Sequence, residues 1–169
     1  MRRGPAAVVA IAAAVVVLDQ ATKQAARTYL APNGSSVPLL GDVVRLTFTR
    51  NTGAAFGMLP GGRAAFIVVS LAAVAVVIGY LIRRRPQNAW LVVALGLVSA
   101  GAIGNLIDRA AVGWVTDFIQ IPFNFPVFNV ADSSVVVGVG MLVWWLLFGP
   151  ASAGPADGAS EPKPTEEPQ

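Results

Sequence analysis

Four long apolar stretches constrain this chain more than any other feature of its sequence. A helix that crosses the hydrocarbon core of a bilayer needs about 20 mostly apolar residues. Three stretches are close to that length: Ala64 to Ile82, Ala89 to Ile107 and Val130 to Phe148. The first stretch, from Pro5 to Leu18, reaches it only if it also includes Asp19. The pattern therefore predicts four transmembrane helices.

The composition agrees with a membrane protein. Only 12% of the 169 residues are charged and 55% are hydrophobic, whereas about a quarter of the residues in a soluble domain are charged. The basic residues are scattered or flank the apolar stretches, so the net charge of +3 does not indicate nucleic-acid binding. We predict one membrane domain over residues 1–149. The Pro- and Glu-rich segment 150–169 is predicted to be a disordered tail.

The first apolar stretch has a second interpretation. A cleaved signal peptide also begins with basic residues, here Arg2-Arg3, followed by an apolar run. Asp19, Lys23 and Arg27 make a poor cleavage region, so we favour a retained helix. Four helices place both termini on one side of the membrane. The basic run Arg83–Arg85 directly follows a helix end, which favours cytoplasmic termini.

Two segments between the apolar stretches have strand character. Residues Val43 to Thr49 alternate and include β-branched side chains, which indicates a strand. The segment from Trp114 to Phe128 is rich in aromatic and β-branched residues, and Pro122 and Pro126 divide it into short extended pieces. Both segments fall on the same side of the membrane as Asp117. The predicted fold is an all-α membrane protein with four transmembrane helices and a small β platform on the periplasmic side.

The residue types that are missing restrict the available chemistry. The chain has no His and no Cys, and Glu161 is its first Glu. These absences exclude Ser-His-Asp triads, HExxH zinc sites, disulfides and thiolate nucleophiles. The first 150 residues contain five carboxylates: Asp19, Asp42, Asp108, Asp117 and Asp132. Acid/base catalysis would therefore depend on aspartates, and we expect no metal or other cofactor.

Asp117 and Asp132 are the strongest candidates. Asp132 opens the last apolar stretch, where the helix dipole alone would favour it. A carboxylate at the membrane edge is costly, however, and usually marks a functional site. Asp117 has a structural alternative as a turn or strand-edge residue. Two carboxylates in one poorly solvated site share a proton, so one of them activates water while the other acts as an acid.

Further polar residues cluster near the outer ends of the helices. Asn105 and Arg109 are one helical turn apart and share a face, so they either cap the helix or orient a substrate. Asp19 and Lys23 form an i,i+4 pair that either neutralises charge at the interface or supports a site. Asn51 lies in a loop of small residues, which indicates a tight turn or a cradle for an extended peptide.

Five segments, in this order, match one known family. They are Leu18-Asp19-Gln20-Ala21-Thr22-Lys23, Arg50-Asn51-Thr52-Gly53-Ala54-Ala55-Phe56-Gly57, Gly104-Asn105-Leu106-Ile107-Asp108-Arg109, Val115-Thr116-Asp117-Phe118-Ile119 and Phe128-Asn129-Val130-Ala131-Asp132-Ser133. Together they resemble lipoprotein signal peptidase, also called signal peptidase II. Five segments in order across about 115 residues make the resemblance highly specific.

The resemblance implies an aspartic endopeptidase of the bacterial inner membrane. Such an enzyme removes the signal peptide of a prolipoprotein, cutting before a cysteine that carries a diacylglyceryl group. Asp117 and Asp132 would be the catalytic dyad. The implied substrate-binding set, in which the last two residues are supporting, is Asn51, Asn105, Arg109, Asn129, Asp19 and Lys23. The expected partners are prolipoproteins and membrane lipids, without nucleic acid, and the expected state is a monomer.

A small proton-coupled transporter is the alternative function. Asp132 and the pair Asp19 and Lys23 would then relay protons across the membrane. No charge lies in the central part of any apolar stretch, where a relay needs one. A non-catalytic anchor protein would leave the polar segments unexplained. We therefore expect the peptidase.

Overall fold

The computed structural model describes residues 4–32, 34, 36–41, 43–53, 62–122 and 125–149. Within them the chain forms α1 (Gly4–Tyr29), β1 (Val37–Leu40), β2 (Val44–Asn51), α2 (Gly62–Arg84), α3 (Ala89–Ala111), β3 (Val115–Gln120) and α4 (Val130–Phe148). The predicted tail 150–169, the basic pair at 2–3 and the small-residue loop 54–57 lie outside the described residues.

The four helices confirm the predicted transmembrane segments. Each is long and apolar enough to cross a membrane. The third helix begins at the predicted residue, and the fourth has both predicted ends. The first helix continues past its apolar stretch to Tyr29, because Asp19 and Lys23 are buried inside the protein rather than facing lipid.

Helix α3 forms the centre of the bundle. It packs against α1, α2 and α4. Small residues let the backbones of α3 and α4 come close together. A Cβ at Gly101 would overlap the Ala131 carbonyl of α4, and one at Gly138 would lie 2.9 Å from the Ala94 carbonyl. The small residues of α3 and α4 therefore permit close packing of these two helices.

The three strands form one antiparallel sheet in the order β1-β2-β3. The predicted strand is confirmed as β2, and the extended segment after α3 contains β3. Strand β1 was not predicted, and its Pro38 lies in an edge strand, where a missing N–H is tolerated. Leu46 of β2 and Phe118 of β3 pack with Ala26 near the end of α1, so the sheet sits against that end of the bundle.

Phe128, shortly before α4, pairs with the backbone of β3. The backbone N–H of Ile119 donates to the carbonyl of Phe128 at 2.8 Å, and Phe128 donates back to Ile119 at 3.0 Å. This isolated bridge comes one residue before Asn129 and two residues before α4 begins. It therefore brings the start of α4 beside the middle of β3.

Candidate active site

Asp117 lies in β3 with its carboxylate almost completely buried. Its Oδ2 accepts a hydrogen bond from Asn51 Nδ2 at 2.9 Å, and its Oδ1 accepts one from Asn129 Nδ2 at 2.6 Å. Asn51 ends the neighbouring strand β2, and its own Oδ1 accepts the N–H of Gly53 at 2.9 Å. The antiparallel sheet and the β3–α4 bridge thus orient both oxygens of Asp117.

Asp132 belongs to the first turn of α4. Asn129 caps this helix by accepting the Asp132 N–H at 2.9 Å, and Asp132 Oδ2 accepts the Asn129 N–H at 3.2 Å. This reciprocal pair is a capping box. The other oxygen, Oδ1, accepts a hydrogen bond from Asn105 Nδ2 at 2.8 Å. The cap and α3 therefore determine the direction of the Asp132 carboxylate.

Asn129 connects the two carboxylates. Its side-chain amide donates to Asp117, and its backbone N–H donates to Asp132. The same amide donates to Asn105 Oδ1 at 3.2 Å. The structure thus brings together Asp117, Asp132, Asn51, Asn105 and Asn129, which come from β2, α3, β3 and the start of α4.

Burial changes the acidity of Asp117. Its pKa is raised overall from 3.8 to about 6, and desolvation by burial is the largest cause. The hydrogen bonds from Asn51 and Asn129 and the charge of Lys23 lower the pKa, whereas the negative charge of Asp132 adds to the increase. Asp117 therefore keeps its proton to a higher pH than an exposed aspartate does.

The raised pKa of Asp117 makes stability depend on pH. Its contribution to the free energy of unfolding is fully present below about pH 4 and is lost as the pH rises through about 6. We expect the stability of the unmodified protein, relative to Asp117→Asn, to fall by about 3 kcal/mol between pH 4 and pH 8. Unfolding of both proteins in detergent across this range measures the change. A difference that stays constant with pH would contradict it.

Next to these residues lies an ion cluster, which consists of the buried Asp19, Lys23 and Asp108 and the partly exposed Arg27. Lys23 Nζ lies 2.9 Å from Asp19 Oδ2, 3.6 Å from Asp108 Oδ2 and 3.0 Å from Asn105 Oδ1. Asp19 and Lys23 are both completely buried. They contact the aspartate pair through Asn105 and the backbone, so their supporting role stays a prediction.

Arg109 is buried near the same end of α3. Its Nη1 donates to the carbonyl of Asn105 at 3.3 Å, and its guanidinium lies 4.8 Å from the ring centre of Phe66 on α2. Its positive charge interacts with Asp132 and Asp117. The sequence correctly placed Arg109 near Asn105, but whether it contacts substrate stays a prediction.

Three residues of this region, Asp108, Arg27 and Gln20, had no role at the site assigned from the sequence. Asp108 Oδ1 lies 2.8 Å from Arg27 Nη2, and Gln20 Nε2 donates to Asp19 Oδ2 at 3.1 Å. Gln20 also donates to Asp108 Oδ1 at 3.3 Å. The sequence did hold a signal for Asp108, which is one of only five carboxylates in the first 150 residues. A charged residue in a membrane helix needs a partner, so Asp108 needs one.

Gly104 leaves the space that Asp19 occupies. A Cβ at this position would lie 2.5 Å from Asp19 Oδ2 and 3.2 Å from the Ala131 side chain. We expect Gly104→Ala to displace the carboxylate and lower the unfolding free energy by about 2 kcal/mol. Gly79→Ala in α2 is the control, because a Cβ there meets nothing within 4 Å. Thermal unfolding in detergent compares them, and equal stability of the two variants would refute the steric argument.

A cavity of about 500 Å³ opens beside the aspartate pair. Asp132 and Asn51 supply polar groups at its wall, and the rest of the lining is mostly apolar, with Phe125, Phe128 and Val136 among its members. Among the described residues, no group of three or more His, Cys, Asp or Glu side chains could hold a metal ion. The arrangement is an apolar cleft with Asp132 and Asn51 at its wall, and Asn51 donates to Asp117 outside the lining.

Comparisons with known proteins show the family of this chain. The family model described as signal peptidase (SPase) II matches residues 11–148. The lipoprotein signal peptidase of Caldanaerobacter subterraneus subsp. tengcongensis is 44% identical over 140 residues, covering 83% of this chain and 95% of that protein. The lipoprotein signal peptidase of Geobacillus kaustophilus is 43% identical over 141 residues, covering 82% and 91%.

A solved structure has the same fold. It is a bacterial membrane enzyme determined by the in meso method at 1.9 Å resolution, with a TM-score of 0.78 and 35% identity. The match covers 85% of this chain and 94% of that one. With the family match over residues 11–148, it establishes a bacterial integral membrane protein of peptidase type. This chain belongs to the signal peptidase II family.

Proposed function

We propose that this protein removes signal peptides from diacylglyceryl-modified prolipoproteins, with Asp117 and Asp132 as its catalytic dyad. The observation that carries the proposal is the position of Asn129, which donates hydrogen bonds to both carboxylates. One residue thus binds both aspartates, and one of them, Asp132, lines the apolar cleft. Its relatives are lipoprotein signal peptidases.

The proposed reaction assigns different roles to the two aspartates. Asp117 holds the shared proton, in keeping with its raised pKa. Asp132 accepts a proton from water as the water oxygen bonds to the scissile carbonyl carbon, while Asp117 protonates the carbonyl oxygen. Asp132 then passes its proton to the amide nitrogen as the C–N bond breaks. Asp117 recovers its proton from the hydroxyl, so the dyad returns to its starting state.

The cleft fits the chemistry of the substrate. A signal peptide is an apolar segment, and Phe125, Phe128 and Val136 offer apolar surface beside Asp132. Asn51 faces the same cleft, where its amide orients Asp117 next to the bound backbone. We propose that Arg109 and Asn105 help to position substrate from α3, as the resemblance implies.

We propose cytoplasmic termini, a periplasmic sheet and a monomeric enzyme. The basic residues Arg83 and Arg84 end α2 at the opposite end of the bundle from the aspartate pair, which agrees with the positive-inside rule. With this orientation the dyad lies at the periplasmic surface, where it meets water. The tail 150–169 lies beyond the family match and is proposed to be dispensable for cleavage.

The proton-coupled transporter is not supported. The matched family is a peptidase, and Asp19 and Lys23 are completely buried against each other and Asn105. A proton pathway would need these groups to exchange protons with water on both sides of the membrane.

The test of the proposal compares two substrates. Purified protein in detergent is incubated with one prolipoprotein, either modified with diacylglyceryl or unmodified, and the products are identified by mass spectrometry. We expect cleavage before the modified cysteine and little cleavage of the unmodified form. Cleavage elsewhere in the chain, or equal cleavage of both forms, would reject the proposed substrate class.

A further inference from the structure

The residues immediately before the two catalytic aspartates are anchored in the same way. Thr116 precedes Asp117, and its backbone N–H donates to Asp108 Oδ2 at 2.8 Å. Ala131 precedes Asp132, and its backbone N–H donates to Asp19 Oδ1 at 2.9 Å. Each catalytic aspartate therefore follows a backbone group that a carboxylate of the ion cluster holds.

Neither N–H has access to solvent. Thr116 and Ala131 are both completely buried. Ala131 belongs to the first turn of α4, where backbone N–H groups have no partner within the helix. A buried N–H without a partner costs about 1–3 kcal/mol. The carboxylates of Asp108 and Asp19 thus fix the positions of these two backbone segments.

Lys23 joins the two anchors. Its ammonium group lies between Asp19 Oδ2 at 2.9 Å and Asp108 Oδ2 at 3.6 Å. It also donates to Asn105 Oδ1 at 3.0 Å, and Asn105 donates to Asp132. A single buried cation is therefore linked to both catalytic segments.

Two further side chains tighten the anchor of β3. Arg27 Nε donates to Thr116 Oγ1 at 2.8 Å, and Arg27 Nη2 lies 2.8 Å from Asp108 Oδ1. Gln20 donates to Asp19 and Asp108 and also to the carbonyl of Gly104 at 3.1 Å. Gln20 thereby links Asp19 and Asp108, which hold the two segments, in one hydrogen-bond network.

We propose that Asp19 and Asp108, joined by Lys23, are positioning residues that set the spacing between the catalytic aspartates. The inference rests on the proposed function, because it needs Asp117 and Asp132 to act as a pair. A displacement of about 1 Å in a catalytic group lowers turnover by about 10²-fold. Loss of either anchor should therefore reduce kcat and leave substrate binding unchanged.

The experiment is a double-mutant cycle on kcat and KM. Asp19→Ala and Asp108→Ala are each expected to lower kcat by about 10²-fold, with KM within about twofold. The kcat of the double variant should fall by much less than the product of the two single losses. Either change alone already lets the two catalytic aspartates move relative to each other. Asp19→Asn and Asp108→Asn retain an acceptor for the N–H and should recover most of the lost kcat.

The controls separate positioning from folding and from the proposed function. Rates are divided by the amount of protein that binds uncleaved substrate, so a misfolded fraction does not lower kcat. Thr22→Val should match the unmodified protein, because within the part of the chain that the structure describes the Thr22 hydroxyl bonds to carbonyls of its own helix, Leu18 and Asp19.

Each outcome has one meaning. Multiplicative losses in the cycle, unchanged kcat per binding-competent molecule, or a change confined to KM would overturn the positioning role. Such a result leaves the proposed function standing as long as Asp117→Asn is inactive. If Asp117→Asn remains active, the catalytic pair itself is wrong and the proposed function fails.

Discussion

Asp117→Asn and Asp132→Asn should each lower the rate of prolipoprotein cleavage by at least about 10³-fold. In the proposed reaction, either substitution removes a group that gains or loses a proton in every turnover. Asn has nearly the same shape as Asp, so Asn129 and the β3–α4 bridge should still hold the segment in place. The rate is measured with purified protein and a diacylglyceryl-modified substrate.

The prediction has an internal and a matched control. Both variants should still bind the uncleaved substrate, because Phe125, Phe128 and Val136 of the cleft are unchanged. Gln87→Glu makes the reverse exchange of amide and carboxylate in a side chain whose Nε2 donates to the Arg85 carbonyl. It should cleave at the rate of the unmodified protein. Activity above about a tenth in either aspartate variant would remove that residue from the dyad.

Lys23→Met should strongly lower the free energy of unfolding while leaving Asp117 and Asp132 in place. Lys23 is completely buried between Asp19 and Asp108. Met fills a similar volume but carries no charge, so two buried carboxylates lose their shared cation. Removing one partner of a buried ion pair costs about 3–5 kcal/mol. Unfolding in detergent, followed by heat or denaturant, measures the loss.

A second substitution tests whether charge is the cause. Adding Asp19→Asn to Lys23→Met removes one of the carboxylates that lost its partner. The double variant should therefore be more stable than Lys23→Met alone. If the second change lowers stability further, lost packing rather than unpaired charge explains the effect of the first.

The helices were predictable because hydrophobic burial in a bilayer depends on residue type over long windows. Helix α4 matched its predicted ends, since Asn129 caps it and the apolar run stops after Phe148. The end of α1 was not predictable in this way. It continues through Asp19 and Lys23 because α3 and α4 supply their partners, and those partners lie more than 80 residues away in sequence.

The candidate site was predictable in its residues but not in its connections. Asp117, Asp132 and Asn105 stood out because polar residues are rare in this chain. The central place of Asn129 depends on the bridge between Ile119 and Phe128, which no local pattern specifies. The edge strand β1 was missed for a related reason, because Pro38 weakens its strand signal and its pairing with β2 is tertiary.

The ion cluster has a consequence for how the chain enters the membrane. Helix α1 leaves the ribosome first, carrying Asp19 and Lys23, and at that stage the two can pair only with each other. Asp108 and Asn105 arrive with α3, and the N–H of Ala131 arrives with α4. The C-terminal third of α1 therefore acquires its final partners only when the last helix is inserted. Assembly of the protease is therefore completed late. In a chain truncated before α4, Asp19 would lack the N–H of Ala131, and we expect such a chain to be degraded in the membrane.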